Sequence, residues 1–446
     1  MGIFDRFFKG TAKYHRQRPD IIFGRYSDSY KPEAKYDAWD QALELFEQSH
    51  YLPAYQQLLE YLRDDEAENV KWWQDQSELR FELLQGSKKI TGCADPRKVR
   101  AEARIAKATA LDTGVMRRLL EKNYDLQYSH FALDPDQVLS IRFDTYTLDG
   151  SPYKLYYALK ELAINADKQD DLLIDEFSEM EPVEISHLRA LPDHLKVVKY
   201  DFLHQQIRAA IDYFRKGYLE ARQYSGGIAY FLLNLCYKLD YLIKPEGSMM
   251  ETLERINRRY FASDGQANTH TRNERLVAEL EALIQRPRSD FYKEMYHGIS
   301  TFGITNPVNH DRLIDFIEGE LGNMDWYLEN QHYEIAQAVP GYIVGYCLFH
   351  YALPKPDRDL FHLYYEITEA EYFRALGFSP WYYRAGSQQF NRKAIKAAVR
   401  AIAEENRRYY PKLQPEVGQL NYTSLPDFAR SYLRMIQALD LTKSFV

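Results

Sequence analysis

Three stretches of this chain alternate apolar and polar residues with a period of two, and beyond about Lys199 that period does not return. Leu79, Phe81 and Leu83 alternate with Arg80 and Glu82. Val99, Ala101, Ala103 and Ile105 alternate with Arg100, Glu102 and Arg104, and Leu139, Ile141 and Phe143 with Ser140, Arg142 and Asp144. Successive side chains of a strand point to opposite faces, so the pattern calls for antiparallel strands with one face buried and one wet. Helical spacing brackets them. Trp39, Ala42, Leu43 and Phe46 recur at three and four residues behind Asp37, read as an N-cap. Pro53 suits the first turn of a second helix bearing Tyr55, Leu58, Leu59 and Leu62. Residues 112–122 read as a third helix, and Ser151 with Pro152 opens a long one reaching Phe177. The expected fold is α+β, with helices on one side of a twisted antiparallel sheet.

At 446 residues the chain exceeds one compact core, so two domains are expected. Residues 1–35 form a basic lead segment, 36–181 the α+β domain, 182–198 a connector holding Pro182 and Pro192, and 199–446 an all-α domain. Apolar spacing places helices near 202–222, 228–242, 249–261, 275–284, 312–321, 325–338, 359–376, 392–409 and 426–439, hence eight to ten in all. The lead segment is expected to dock on the protein's own body. Asp167, Asp170, Asp171, Asp175, Glu176, Glu179 and Glu181 crowd the end of the long helix and are the acidic surface it would meet. Otherwise that run reads as a solvated helix end.

The net charge of −8 and pI near 5.9 argue against nucleic acid, since no excess of Lys and Arg exists to displace counterions from phosphates. Cys93, Cys236 and Cys347 are too far apart for a metal site and too few for a disulfide framework, which fits a reducing cytoplasm. No apolar run reaches membrane-span length, and the start at Met1 is too charged for a secretory signal. Membrane contact is not expected. The 37 tyrosines suit half-buried helix seams and recognition surfaces alike.

Residues 115–123 (Val-Met-Arg-Arg-Leu-Leu-Glu-Lys-Asn), then Leu126, then His130-Phe131-Ala132-Leu133-Asp134, then residues 138–142, lead into a long helix ending Ala166-Asp167-Lys168-Gln169-Asp170-Asp171. This run resembles the second half of a YbjN/type III secretion chaperone-like domain, and residues 79–84 and 98–106 are similar to the first half. The resemblance covers about a third of the chain. It implies a small, often paired α/β unit that holds an extended or helical client segment on apolar surface beside its sheet. It implies no catalytic residue and no cofactor. Members of that family are usually short, whereas here a long second region follows, so a secretion role is an analogy of fold.

The expected function is therefore a non-enzymatic cytoplasmic protein-binding protein, chaperone-like or adaptor, which holds a client or pairs with itself through the α+β domain. Candidate contacts are Trp72, Trp73, Phe81, Met116 and Leu120, with a cationic helix face of Arg392, Lys396 and Arg400 as a second surface. Of Trp72 and Trp73, period two buries only one. Two alternatives stand beside this. One is a hydrolase-type enzyme, metal-assisted or not, with a pocket in the helical domain near His362 and Glu366 or the Trp381-Tyr382-Tyr383 loop. The other is a structural subunit of a larger assembly. No HExxH, P-loop, dinucleotide fingerprint or nucleophile elbow is present, and no cofactor is expected.

Overall fold

The computed structural model describes residues 19–27, 30–65, 67–75, 77–109, 113–184, 187–217, 220–262 and 267–444. Two helices, α1 (Glu33–Glu47) and α2 (Tyr51–Leu62), precede four strands, β1 (Val70–Asp75), β2 (Glu78–Gly86), β3 (Lys88–Ala94) and β4 (Lys98–Ala108). Then follow α3 (Thr113–Asp125), β5 (His130–Leu133), β6 (Val138–Tyr146), α4 (Pro152–Glu176) and β7 (Met180–Pro182). The antiparallel sheet runs in the order β1-β2-β3-β4-β6-β5, with β7 pairing the far end of β4.

Register explains why the alternation in sequence is so clean. Val70, Leu83, Ile90, Ala103, Ile141 and Phe131 face one another in a single row across six strands, and all six are buried. Burying each of the larger ones contributes roughly 1.5–3 kcal/mol. The next row, Lys71, Glu82, Thr91, Glu102, Arg142 and His130, stands on the open face as a lattice of charge. There Arg142 grips Glu102 at 2.9 Å. α4 covers the apolar face through Leu155, Leu159, Leu162, Ala163 and Ala166. Its N-cap is Ser151, whose hydroxyl accepts from the Lys154 amide. One start differs from expectation. α1 begins at Glu33 behind Pro32, because proline fixes the entry geometry, and Asp37 lies exposed inside the helix.

Twelve helices follow among the described residues: α5 (Asp193–Arg215), α6 (Ser225–Ile243), α7 (Gly247–Tyr260), α8 (Thr269–Leu283), α9 (Arg288–Lys293), α10 (His310–Leu321), α11 (Asn323–Glu329), α12 (Tyr333–His350), α13 (Lys355–Thr368), α14 (Ala370–Ala375), α15 (Arg392–Asn406) and α16 (Leu425–Gln437). The architecture is thus an α+β region followed by an all-α region. Twelve exceeds eight to ten because two expected helices are each divided and the short α9 was not expected at all. Gln331 in the left-handed region breaks 325–338, and Glu369 separates α13 from α14. α12 is apolar almost all round and sits at the centre of the helical core.

The two regions share one sheet. β8 (Ile299–Ser300), which belongs in sequence to the helical region, pairs antiparallel with β2 at Gly86 and Gln85. Beyond it Phe302 is buried in the core under the sheet. The Gln85 amide oxygen accepts from the amides of Thr301 and Phe302 at 3.2 and 2.9 Å. From the other side the lead segment crosses the seam: Arg25 donates to both oxygens of Asp240 on α6 and, at 2.8 Å, to Glu254 on α7, with its guanidinium over the Phe349 ring. The described part of the segment docks on the body through Arg25, on α6 and α7. The part of the lead segment in residues 1–18 lies outside the described residues.

Candidate interaction surface and seam cavity

α3 buries Val115 and Leu119 and leaves Met116, Leu120 and Tyr124 outside, one stripe at four-residue steps. Leu120 is 68% exposed and Tyr124 92%. Asn123 ties the end of α3 to the sheet by accepting from the Phe131 amide at 2.7 Å. Glu161 of α4 fixes the turn between α3 and β5. Its carboxylate accepts from the amides of Gln127, Tyr128 and Ser129 and from the Ser129 hydroxyl, all within 2.9 Å. Burial pushes that carboxyl up, but the four donors outweigh it and hold its pKa below the ordinary range. Tyr153 and Tyr157, two turns and one turn before Glu161, are also exposed, as is Tyr128. An apolar and aromatic surface therefore runs from the start of α4 over this turn to α3. Beside it β5 ends the sheet, and no strand among the described residues pairs with its outer edge.

The seam encloses a cavity of about 920 Å³, lined by the lead segment, α4, α6, α7, the 298–306 stretch and the start of α13. Charges from both regions meet in and beside it. Lys88, fully buried, pairs with Asp170 at 2.9 Å, Ser87 donates to Asp167 and Asp170, and Tyr296 donates to Asp171 at 3.1 Å. Asp167, Asp170 and Asp171 thus belong to the seam, whereas Asp175, Glu176 and Glu181 of the same run are exposed. Burial, then the repulsion of Glu246, Asp170 and Asp167 among themselves, raises the pKa of Asp167 and of Asp171 well above the ordinary carboxyl value. A carboxyl raised on folding contributes stability that is full below its unfolded pKa of about 4 and is lost as pH rises through the folded value. The protein is therefore expected to melt at a lower temperature as pH climbs from mildly acidic to alkaline. Asp167→Asn is expected to flatten that slope, and an unchanged slope in a pH series of melting curves refutes the assignment.

His362 lies on the wall of this cavity, but its ring is engaged inside the protein. Nδ1 is 3.0 Å from the Tyr241 hydroxyl and Nε2 3.0 Å from Glu366, while Phe23 and Phe373 pack around the ring. Glu369, the other carboxylate of that neighbourhood, pairs with Lys238 at 2.9 Å. No group of three or more His, Cys, Asp or Glu placed to hold a metal occurs among the described residues. In the Trp381 loop, Tyr382 and Tyr383 are buried and Trp381 is flanked by Arg374 and Arg384.

The residues singled out from sequence fall into five places. Met116 and Leu120 stand together on α3. Trp73 is exposed on the open sheet face at the head of a row formed by Arg80, Cys93, Arg100 and Asp144, a polar setting and not an apolar groove. Trp72 turns to the other face, half-buried, and its indole donates to Glu60 of α2 at 2.7 Å. Phe81 is not a contact: it is 4% exposed in the sheet core, because α1, α2 and α4 cover the whole apolar face. Arg392, Lys396 and Arg400 lie on α15, which packs on α13 in the helical region, and Arg392 stacks over Tyr422. Tyr124, Tyr128, Tyr153 and Tyr157 were not foreseen, although Tyr124 continues the four-residue step of Met116 and Leu120.

No helix among the described residues is long and apolar enough to cross a membrane. Comparison with models of known protein families gives no match, and comparison with curated proteins gives none either.

Proposed function

We propose that this chain is a non-enzymatic protein-binding protein, of a chaperone-like or adaptor kind, whose α+β region takes a segment of another polypeptide along the α3–β5 edge. One observation carries the reading: the exposed stripe Met116, Leu120 and Tyr124 lies beside a sheet edge that has no partner strand among the described residues. An extended segment can add to such an edge through main-chain hydrogen bonds and lay apolar side chains on a neighbouring helix. Arg117 pairs with Glu121 and Arg118 with Glu176 beside the stripe, so what the surface offers a segment is chiefly apolar. The resemblance to the YbjN/type III secretion chaperone-like family points the same way. We place the protein in the cytoplasm on its three free cysteines.

The test compares wild type with Leu120→Glu/Tyr124→Glu, both exposed positions at which the fold should survive. Purified protein is sized by native mass measurement, and tagged protein is recovered from the cells that make it. A stoichiometric partner, or a dimer, present with wild type and lost at an unchanged melting temperature supports the proposal. Identical species for both proteins sink it.

A further inference from the structure

Two helices on the outside of the molecule each carry charge of one sign along a face, and the two faces match. On α1, Glu33, Asp37, Asp40, Glu44 and Glu47 recur at steps of four and three residues, all of them exposed and opposite the buried Ala38 and Ala42. None of them meets a cation among the described residues. Lys35, the one base of α1, turns to Asp65 at 3.5 Å. On α15, Arg392, Lys396 and Arg400 recur at four-residue steps and Arg407 follows at the helix end, away from the buried Ile395, Ala398 and Val399. Arg392 lies over the Tyr422 ring and Arg407 pairs with Glu404 of its own turn. Lys396 and Arg400 meet no carboxylate among the described residues.

Both stripes also oppose the dipoles of their own helices. α1 ends on Glu44 and Glu47 with no base in its last turn, and α15 opens on Arg392 and Lys393 with no acid in its first. Carboxylates at a helix C-terminus and cations at an N-terminus are each unfavourable. Laying the two helices antiparallel relieves both conflicts at once, and the charges then fall into register. At about 1.5 Å per residue, Glu33 comes opposite Arg407, Asp40 opposite Arg400, Glu44 opposite Lys396 and Glu47 opposite Arg392, each within about 2 Å along the axis. Asp37 alone faces an acid, Glu404, which Arg407 already neutralises. Tyr36 and Tyr409, 47% and 52% exposed, lie at the same end of this pairing and add apolar contact. A parallel alignment would set Glu44 beside Glu404 and leave both dipole conflicts standing. Each face is open to solvent in its own chain, so the occupant that carries the complement is a second copy.

We propose that α1 of one copy docks antiparallel on α15 of the next, so that the protein associates head to tail. The two faces differ, so the contact repeats from copy to copy. It is separate from the α3–β5 edge. The experiment follows the full chain by sedimentation velocity over a concentration series. Charges act over about 10 Å at roughly 0.1 M salt and over about 3 Å at roughly 1 M. Reversible association that grows with concentration is expected at the lower salt, and monomer at the higher. Asp40→Lys/Glu44→Lys and Lys396→Glu/Arg400→Glu are each expected to weaken association at least tenfold at an unchanged melting temperature. Mixing these two proteins is expected to restore it, because the reversed faces match each other again. The isosteric Asp40→Asn/Glu44→Gln is expected to weaken association at least threefold, and decides the matter if a reversed protein melts lower than wild type. Leu120→Glu/Tyr124→Glu is expected to leave this association intact, so the two surfaces are tested apart. Three results overturn the proposal. They are wild type that stays monomeric at the lower salt, association that survives either reversal, and reversed proteins that stay apart on mixing.

Discussion

Arg25→Met is expected to destabilise the protein by about 3–5 kcal/mol, the usual consequence of removing one partner of a buried ion pair. The guanidinium is 11% exposed and meets Asp240, 5% exposed, through two hydrogen bonds of 2.9 and 2.6 Å. A third bond reaches Glu254. Methionine fills much of the same space, so the loss isolates the charge. It leaves the carboxylates of Asp240 and Glu254 without the cation that bridges them, although Lys168 still lies 2.9 Å from Glu254. Arg25→Lys keeps the positive charge but not the planar fork that bridges both acids, and should fall between. Urea titrations give the midpoints, and limited proteolysis within residues 19–27 reports whether the segment has lifted. A variant that melts like wild type and resists protease equally refutes the clamp.

Gly298→Val is the second large effect. A Cβ at Gly298 would lie 2.8 Å from the Gly86 Cα and 2.9 Å from the Gly86 carbonyl, backbone that cannot swing away. Gly86 is itself in the left-handed region at φ +52°, and Ser87 next to it is bonded to Asp167. Relief requires β8 to leave β2, which also withdraws Phe302 from the sheet core. Overpacking costs about 1–3 kcal/mol and emptying a phenylalanine site about 3–5 kcal/mol, so a total near 3 kcal/mol or more is expected. Hydrogen exchange is the direct readout. The Thr301 and Phe302 amides, which donate to Gln85, should exchange much faster in the variant, while the amides of the β4–β6 ladder change little. Unchanged exchange at all these amides, with no loss of stability, would contradict the close approach.

Much of the α+β region was legible because a sheet with one wet face writes itself as alternation. The rows through Leu83, Ala103 and Ile141 and through Glu82, Glu102 and Arg142 are that alternation seen across strands. β3 shows no clean alternation since Gly92 and Thr91 interrupt its apolar residues, and β5 shows little since it has only four residues. β8 carries no pattern at all in two residues, so its place depends wholly on a partner more than two hundred residues away. The helical region declared its period but not its breaks, which depend on single positions such as Gln331. The surface was partly readable. A stripe such as Met116 and Leu120 is visible on a helical wheel, but whether it faces core or water is decided by neighbours. Phe81 shows the reverse case, a residue of identical promise that α4 covers.

The late arrival of β8 has a consequence during synthesis. At about 5–20 residues per second, a ribosome needs roughly 10–40 s after making Gly86 to reach Ile299 and Phe302. Through that interval the Gln85–Gly86 end of β2 is paired with β3 but lacks its β8 neighbour on the other side, and the hole that Phe302 fills is open. A nascent chain of the first 200 residues should therefore be a sticky intermediate, and its maturation limited by translation time more than by the search of the sheet itself.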